Sequence, residues 1–138
     1  MCIAIEFNKY EIALAEHQKF RIDGEAAHVS IRDSRPMLAI KAFGGNRLVP
    51  WGNSKLFYCK KESLVAGKWR YLKPEPVEII ANRALTHGIW FQVKEGIRGV
   101  LINTPFGEEC YVLTEPATHY FKTMTGADRM PVLVGQLI

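Results

Sequence analysis

Metal-binding patterns are missing from this sequence. Its three cysteines, Cys2, Cys59 and Cys110, form no C-x-x-C pair. Its four histidines, His17, His28, His87 and His119, show no ligand spacing and read as surface or satisfied side chains. No metal and no cofactor are therefore expected. Three cysteines cannot all pair within one chain, which predicts free thiols and a reducing, cytoplasmic compartment. No apolar run approaches the ~18 residues that mark a membrane span. No basic-then-apolar leader precedes the first strand. G-x-S-x-G, P-loop and H-E-x-x-H motifs are all absent, which removes the commonest hydrolase, nucleotide and zinc chemistries.

Acidic residues are scarce in one third of the chain. Between Lys41 and Lys73 stand eight basic residues, Lys41, Arg47, Lys55, Lys60, Lys61, Lys68, Arg70 and Lys73, against the single acid Glu62. That third carries +7, so the rest carries −3 of the total of +4. Six aromatics share the span: Phe43, Trp51, Phe57, Tyr58, Trp69 and Tyr71. Cations that track phosphates, interleaved with rings that stack on bases, suit single-stranded nucleic acid. A solvated basic face with core aromatics between fits the same composition.

The remaining composition is that of an ordinary globular chain, 48% hydrophobic and 23% charged over 138 residues, which predicts one domain spanning 1–138. Cys2–Phe7 alternates as a strand. Asn8 and Glu11 form a capping-box pattern that predicts a helix to about Lys19. Glu25–Arg32 and Met37–Phe43 read as an antiparallel hairpin. Gly44-Gly45-Asn46 is a turn, and Arg47–Trp51 a short strand with Pro50 on an edge. Phe57–Cys59 and Val77–Ile80 read as strands, with at most a turn or two of helix at Glu62–Ala66. Thr86–Val93 and Arg98–Asn103 read as a hairpin around Lys94-Glu95-Gly96. Glu109–Leu113 is a further strand. Glu115–Thr125 reads as a second helix, with Pro116 in its first turn and Gly126 beyond its end. Met130–Ile138 closes the chain as a strand. The expected class is α+β, with a mostly antiparallel curved sheet and about two helices.

The start of the chain carries its own chemistry. If Met1 is removed, Cys2 presents a free amine and a thiol on neighbouring carbons. Such an aminothiol attacks an aldehyde twice and closes a five-membered ring. Left blocked by Met1, Cys2 reads as a small buried hydrophobe.

Several stretches together resemble the SOS response-associated peptidase (SRAP) domain. These are Met1-Cys2, Val49-Pro50-Trp51-Gly52, Ala81-Asn82-Arg83-Ala84-Leu85-Thr86, Tyr111-Val112-Leu113-Thr114-Glu115-Pro116-Ala117 and Asp128-Arg129-Met130-Pro131-Val132. They occur in the family's order and span nearly the whole of a chain shorter than is usual for it. The resemblance implies a β-rich fold that binds single-stranded DNA in a cleft. It also implies covalent capture of abasic sites through Cys2 as a thiazolidine. On that basis Cys2 is the nucleophile, Trp51 stacks on a base, Arg47, Arg83 and Arg129 hold phosphates, and Asn82 and Gln92 are polar pocket residues. The chain departs from the family at its helpers. The family's Asn falls on Ala81 beside Asn82, and its His on Ala127. Its Glu falls on Gln92 or Phe91, or within Pro105–Glu109. Gln keeps hydrogen bonding but exchanges no proton near neutral pH. Two further readings stand beside capture: a family member that binds DNA or protein without covalent chemistry, and a thiol autopeptidase.

Overall fold

Ile5 and Phe7 are both buried, while Glu6 and Asn8 between and after them are half-buried. That alternation makes the opening segment a strand with one core face. The computed structural model describes residues 2–135. In chain order the strands are β1 (Ala4–Asn8), β2 (Arg21–Asp23), β3 (Ala26–Ser30), β4 (Met37–Ile40), β5 (Arg47–Pro50) and β6 (Tyr58–Lys60). They continue with β7 (Glu75–Ile79), β8 (Arg83–Thr86), β9 (Ile89–Gln92), β10 (Ile97–Thr104), β11 (Gly107–Pro116) and β12 (Arg129–Pro131). Two short helices, α1 (Lys61–Val65) and α2 (His119–Thr125), complete an α+β fold.

The strands form two sheets, paired antiparallel except where β6 joins β11. The first has the order β2-β3-β1-β8-β9, with β1 in the centre. The second runs β12-β11-β10-β7-β4-β5. One core lies between the sheets: Phe7, Val29, Ala84 and Phe91 from the first meet Ile40, Val49, Ile79 and Val112 from the second. Phe121 of α2 closes it, edge-on to Phe91 at 5.0 Å. A smaller cluster of Val100, Ile102, Tyr111 and Leu113 covers the other face of the second sheet, with Trp69 and Leu72 packed over it.

The second sheet curls until its ends touch. Trp51, just past β5, bridges to Cys110 of β11, and Gly52 N–H donates to Cys110 O at 2.7 Å. Trp51 is only 1% exposed, and its indole N–H donates to Phe57 O at 3.1 Å. Gly52 has φ +64°, and a Cβ there would lie 2.0 Å from Leu56 O, so no other residue fits this corner.

Five expectations are corrected. The helix predicted from Asn8 to Lys19 is two 3-10 turns, Lys9–Glu11 and Leu14–Lys19. Asn8 does cap, accepting from Tyr10 N–H at 2.9 Å, but Tyr10 and Leu14 are exposed and only Ile12 and Phe20 reach the core. Without an apolar face to bury, a longer helix gains too little packing. The β3–β4 hairpin does not form. A two-residue turn through Gly24 gives β3 one neighbour and β1 takes its other edge, so β4 pairs with β5 and β7 instead. The hairpin expected around Lys94–Gly96 is likewise replaced. His87 and Gly88 both adopt positive φ, the requirement of a tight two-residue turn, and fold β8 onto β9. β10 then pairs with β7 and β11. The second helix begins at His119 rather than Glu115, because Glu115 and Pro116 end β11 and Thr118 provides the cap. The closing strand is confined to Arg129–Pro131, and residues 136–138 lie outside the described part. None of the described helices is long and apolar enough to cross a membrane.

Trp51→Ala should lower stability by about 3–5 kcal/mol, the usual cost of emptying a large core site. Urea unfolding measures it. An unchanged midpoint would contradict the closing role of Trp51.

Candidate nucleic-acid interface

Cys2 is 0% exposed and lies in the main core. The Tyr58 hydroxyl donates to its carbonyl oxygen. Burial pushes the Cys2 thiol up to about 12, so it is protonated at neutral pH. The expectation of a nucleophile opening on a cleft is thus corrected for this state of the chain. Its expected companions are elsewhere. Ile3 N–H donates to Leu85 O at 2.8 Å, so Cys2 lies toward the Thr86–His87 end of β8. Asn82 precedes the other end, with its N–H on Glu6 O at 2.7 Å. The separation is about five residues, roughly 17 Å along a strand. Gln92 pairs in register with Arg83, also at that far end. Ala127, where the resemblance expects a histidine, is buried in the same core as Cys2.

The three nominated arginines are each held by a carboxylate. Arg47 makes a two-pronged pair with Glu108, one prong at 2.9 Å, tying β5 to β11. Arg83 donates through Nε to Glu6 Oε2 at 2.8 Å, and its guanidinium lies 5.2 Å from the Trp90 ring. Arg129 bonds Glu62 and the Thr114 carbonyl, both at 3.0 Å, tying β12 to α1 and β11. Arg129 holds the Glu62 carboxyl down to about 2, and Arg47 holds Glu108 below its ordinary value. These arginines serve as ties between strands, and a phosphate would have to displace a carboxylate to reach them. Trp51 is also corrected: a ring this buried offers no face to a base.

The first sheet carries a polar row on its outer face. Arg21, His28, Glu6, Arg83 and Gln92 stand directly opposite one another across all five strands. Glu6 Oε2 is shared between Arg83 and His28 Nε2, the latter at 3.3 Å. Trp90 lies over this row, 5.7 Å from the His28 ring. Glu6 offsets Arg83, and Arg21 is paired with Asp33 at 2.6 Å, so the row leaves little charge for a ligand.

Cations without an ion pair among the described residues include Arg32, Arg35 and Arg98 elsewhere on the surface, and one group lies in the segment between Gly52 and Lys73. Among the described residues, Lys55, Lys68, Arg70 and Lys73 form no ion pair. They belong to the segment that covers the outer face of the second sheet. There it meets the β10–β11 hairpin tip and leaves a cleft of about 560 Å³. Its walls are Trp69, Tyr71 and Phe106, with Lys68 at the rim. Tyr71 is 81% and Phe106 98% exposed. Trp69 packs edge-on against Tyr111 at 5.2 Å, which anchors that side. Two polar groups, Asn53 and Glu109, also line the cleft. Lys68, Trp69 and Tyr71 belong to the basic aromatic span of the sequence, where nothing distinguishes them from its other cations and rings. Phe106 lies in the Pro105–Glu109 stretch that the resemblance offers for the family's Glu, and its own signal is an aromatic held between Pro105 and Gly107 in a turn. No group of three or more potential metal ligands is clustered among the described residues.

No protein-family model matches the chain, and neither a curated protein nor a solved structure matches it.

All three thiols are buried, and burial raises Cys2 and Cys110 to about 12 and Cys59 to about 11. In the range between the unfolded and folded values the unfolded chain has lost protons that the native chain keeps. Stability is therefore full below pH ~9 and declines as pH rises toward 12. A thiol reagent at pH 8 should leave the native protein unlabelled and label all three cysteines in denaturant. Fast native labelling of Cys2 would contradict the buried placement.

Proposed function

We propose that this chain is a SRAP-like single-stranded DNA-binding protein that uses the Tyr71–Phe106 cleft. One observation carries the reading. Three aromatic rings, two of them almost fully exposed, line a groove together with Lys68, which has no ion-pair partner among the described residues. Exposed aromatics are costly in water and stack on unpaired bases without regard to sequence. Unpaired cations beside them neutralise phosphates and release counterions.

Binding without covalent chemistry is the form of this reading that the geometry favours. While Met1 is attached, the Cys2 nitrogen is an amide and cannot close a ring with an aldehyde. The Cys2 thiol is buried and protonated. Cys2 also packs with Cys110 and Val112 on the inner face of the second sheet, whereas the cleft is built on the outer face around Tyr111 and Ile102. Capture of an abasic site, as the resemblance implies it, requires removal of Met1 and opening of the Cys2 pocket.

Fluorescence anisotropy with labelled single strands tests the proposal. Affinity should fall with salt at a log–log slope of about −0.7 per phosphate neutralised. Tyr71→Ala and Phe106→Ala should each cost about 1–3 kcal/mol of binding, with the thermal midpoint little changed because both side chains are exposed. Absence of binding at low salt, or binding untouched by both variants, would refute the cleft.

A further inference from the structure

Inside the same cleft the polar groups have fixed and complementary roles. Tyr111 O–H donates to Glu109 Oε1 at 2.7 Å. That bond orients the carboxylate and leaves Oε2, together with the second lone pair of Oε1, as acceptors. Asn53 Oδ1 accepts from Lys55 N–H at 3.1 Å and from Leu56 N–H at 2.9 Å. Two backbone donors on one oxygen settle which way the amide points, so Nδ2 is the outward donor. Nδ2 has no partner among the described residues. The cleft thus combines aromatic walls, a fixed acceptor pair and a fixed donor.

We infer that this cleft selects guanine within a single strand, with Glu109 as the specificity-determining residue. The inference rests on the proposed strand-binding role of the cleft. Guanine is the one common base whose Watson–Crick edge sets two donors side by side, N1–H and the N2 amine, matching the two oxygens of a carboxylate. Its O6 accepts, matching Asn53 Nδ2. Cytosine and adenine bring a single amine to Glu109, and thymine a single imide N–H flanked by two carbonyls that the carboxylate repels. Single-stranded bases present these edges freely because they are unpaired. Tyr71 and Phe106 supply stacking to any base, so Glu109 and Asn53 are the groups able to discriminate.

The test uses labelled oligothymidylate decamers with one central position changed to dG, dA or dC, read by anisotropy at fixed low salt. A single dG should tighten binding about tenfold over the all-thymine strand, as expected for one two-bonded base contact. Glu109→Gln keeps the carbonyl that accepts from Tyr111 but loses one acceptor, and should bring the dG-to-dT ratio to within about twofold. Tyr71→Ala should weaken every strand and leave that ratio standing. Equal affinity for the four strands, or a dG preference that survives in Glu109→Gln, overturns the guanine inference while leaving strand binding intact. No binding by any strand overturns the proposed function itself. Free guanosine monophosphate should compete only at far higher concentration than the dG strand. Competition at equal concentration would overturn the strand and assign the site to a free nucleotide.

Discussion

The contact between the Trp51–Gly52 corner and Cys110 is the constraint on which the rest of the molecule depends. It brings the end of β5 onto the edge of β11 and curls the second sheet around its inner side chains. A curled sheet of this kind has a dry inner face and a second face that also carries apolar residues, here Val100, Ile102 and Tyr111. That second face needs a cover of its own. The segment that begins at Gly52 supplies it, folding back through β6, α1 and the turn at Arg70–Leu72. The same segment holds six basic residues, Lys55, Lys60, Lys61, Lys68, Arg70 and Lys73, against the single acid Glu62, so the cover of the sheet is also a cationic surface.

The curl sorts the aromatics of that segment by position. Trp51 goes inward, half-buried Tyr58 packs beside it at 6.5 Å, Trp69 settles over Tyr111, and Tyr71 is left outside. Charge is sorted by pairing. Arg47, Arg83 and Arg129 lock onto Glu108, Glu6 and Glu62, all remote in sequence. A planar guanidinium matches a carboxylate two-pronged and holds strands together well. In the covering segment Lys55, Lys68, Arg70 and Lys73 are exposed and form no ion pair among the described residues, so they stay solvated. Composition alone cannot make this distinction, because it counts Arg47 and Lys68 as equal charges.

Much of the fold was legible in the sequence. The alternation through Ile3, Ile5 and Phe7 marked β1, and the α+β class followed from many short strands with few helical stretches. Pro50 correctly read as an edge residue, since β5 ends the strand order of its sheet. What failed was pairing. The β3–β4 hairpin is plausible locally, but β3 has only two edges, and β2 and β1 fill both. The turn at His87-Gly88 was hidden because His87 gives no sign of the left-handed conformation it adopts. Asn8 and Glu11 spelled a helix start, yet nothing beyond them supplied a face to bury. In each case a local pattern was overridden by packing that only the whole chain defines.

The candidate site was less legible for the same reason. Its walls come from residues 53, 68–71 and 104–109, which no sequence window contains together. Phe106 reads as an incidental turn residue until the β10–β11 hairpin places it opposite Tyr71. The residues nominated from sequence follow a different logic. Cys2, Trp51 and Ala127 all lie in the main core, on the inner side of the second sheet. The cleft stands on the outer side, with Tyr111 pointing one way from β11 and Cys110 and Val112 the other. A strand seated against Tyr71 and Phe106 is therefore separated from the Cys2 thiol by the sheet itself. Stacking and phosphate contact do not need Cys2, and the Cys2 core does not need the cleft. The proposed strand binding and the capture that the resemblance implies would therefore rest on separate residues, and the loss of one would leave the other's in place.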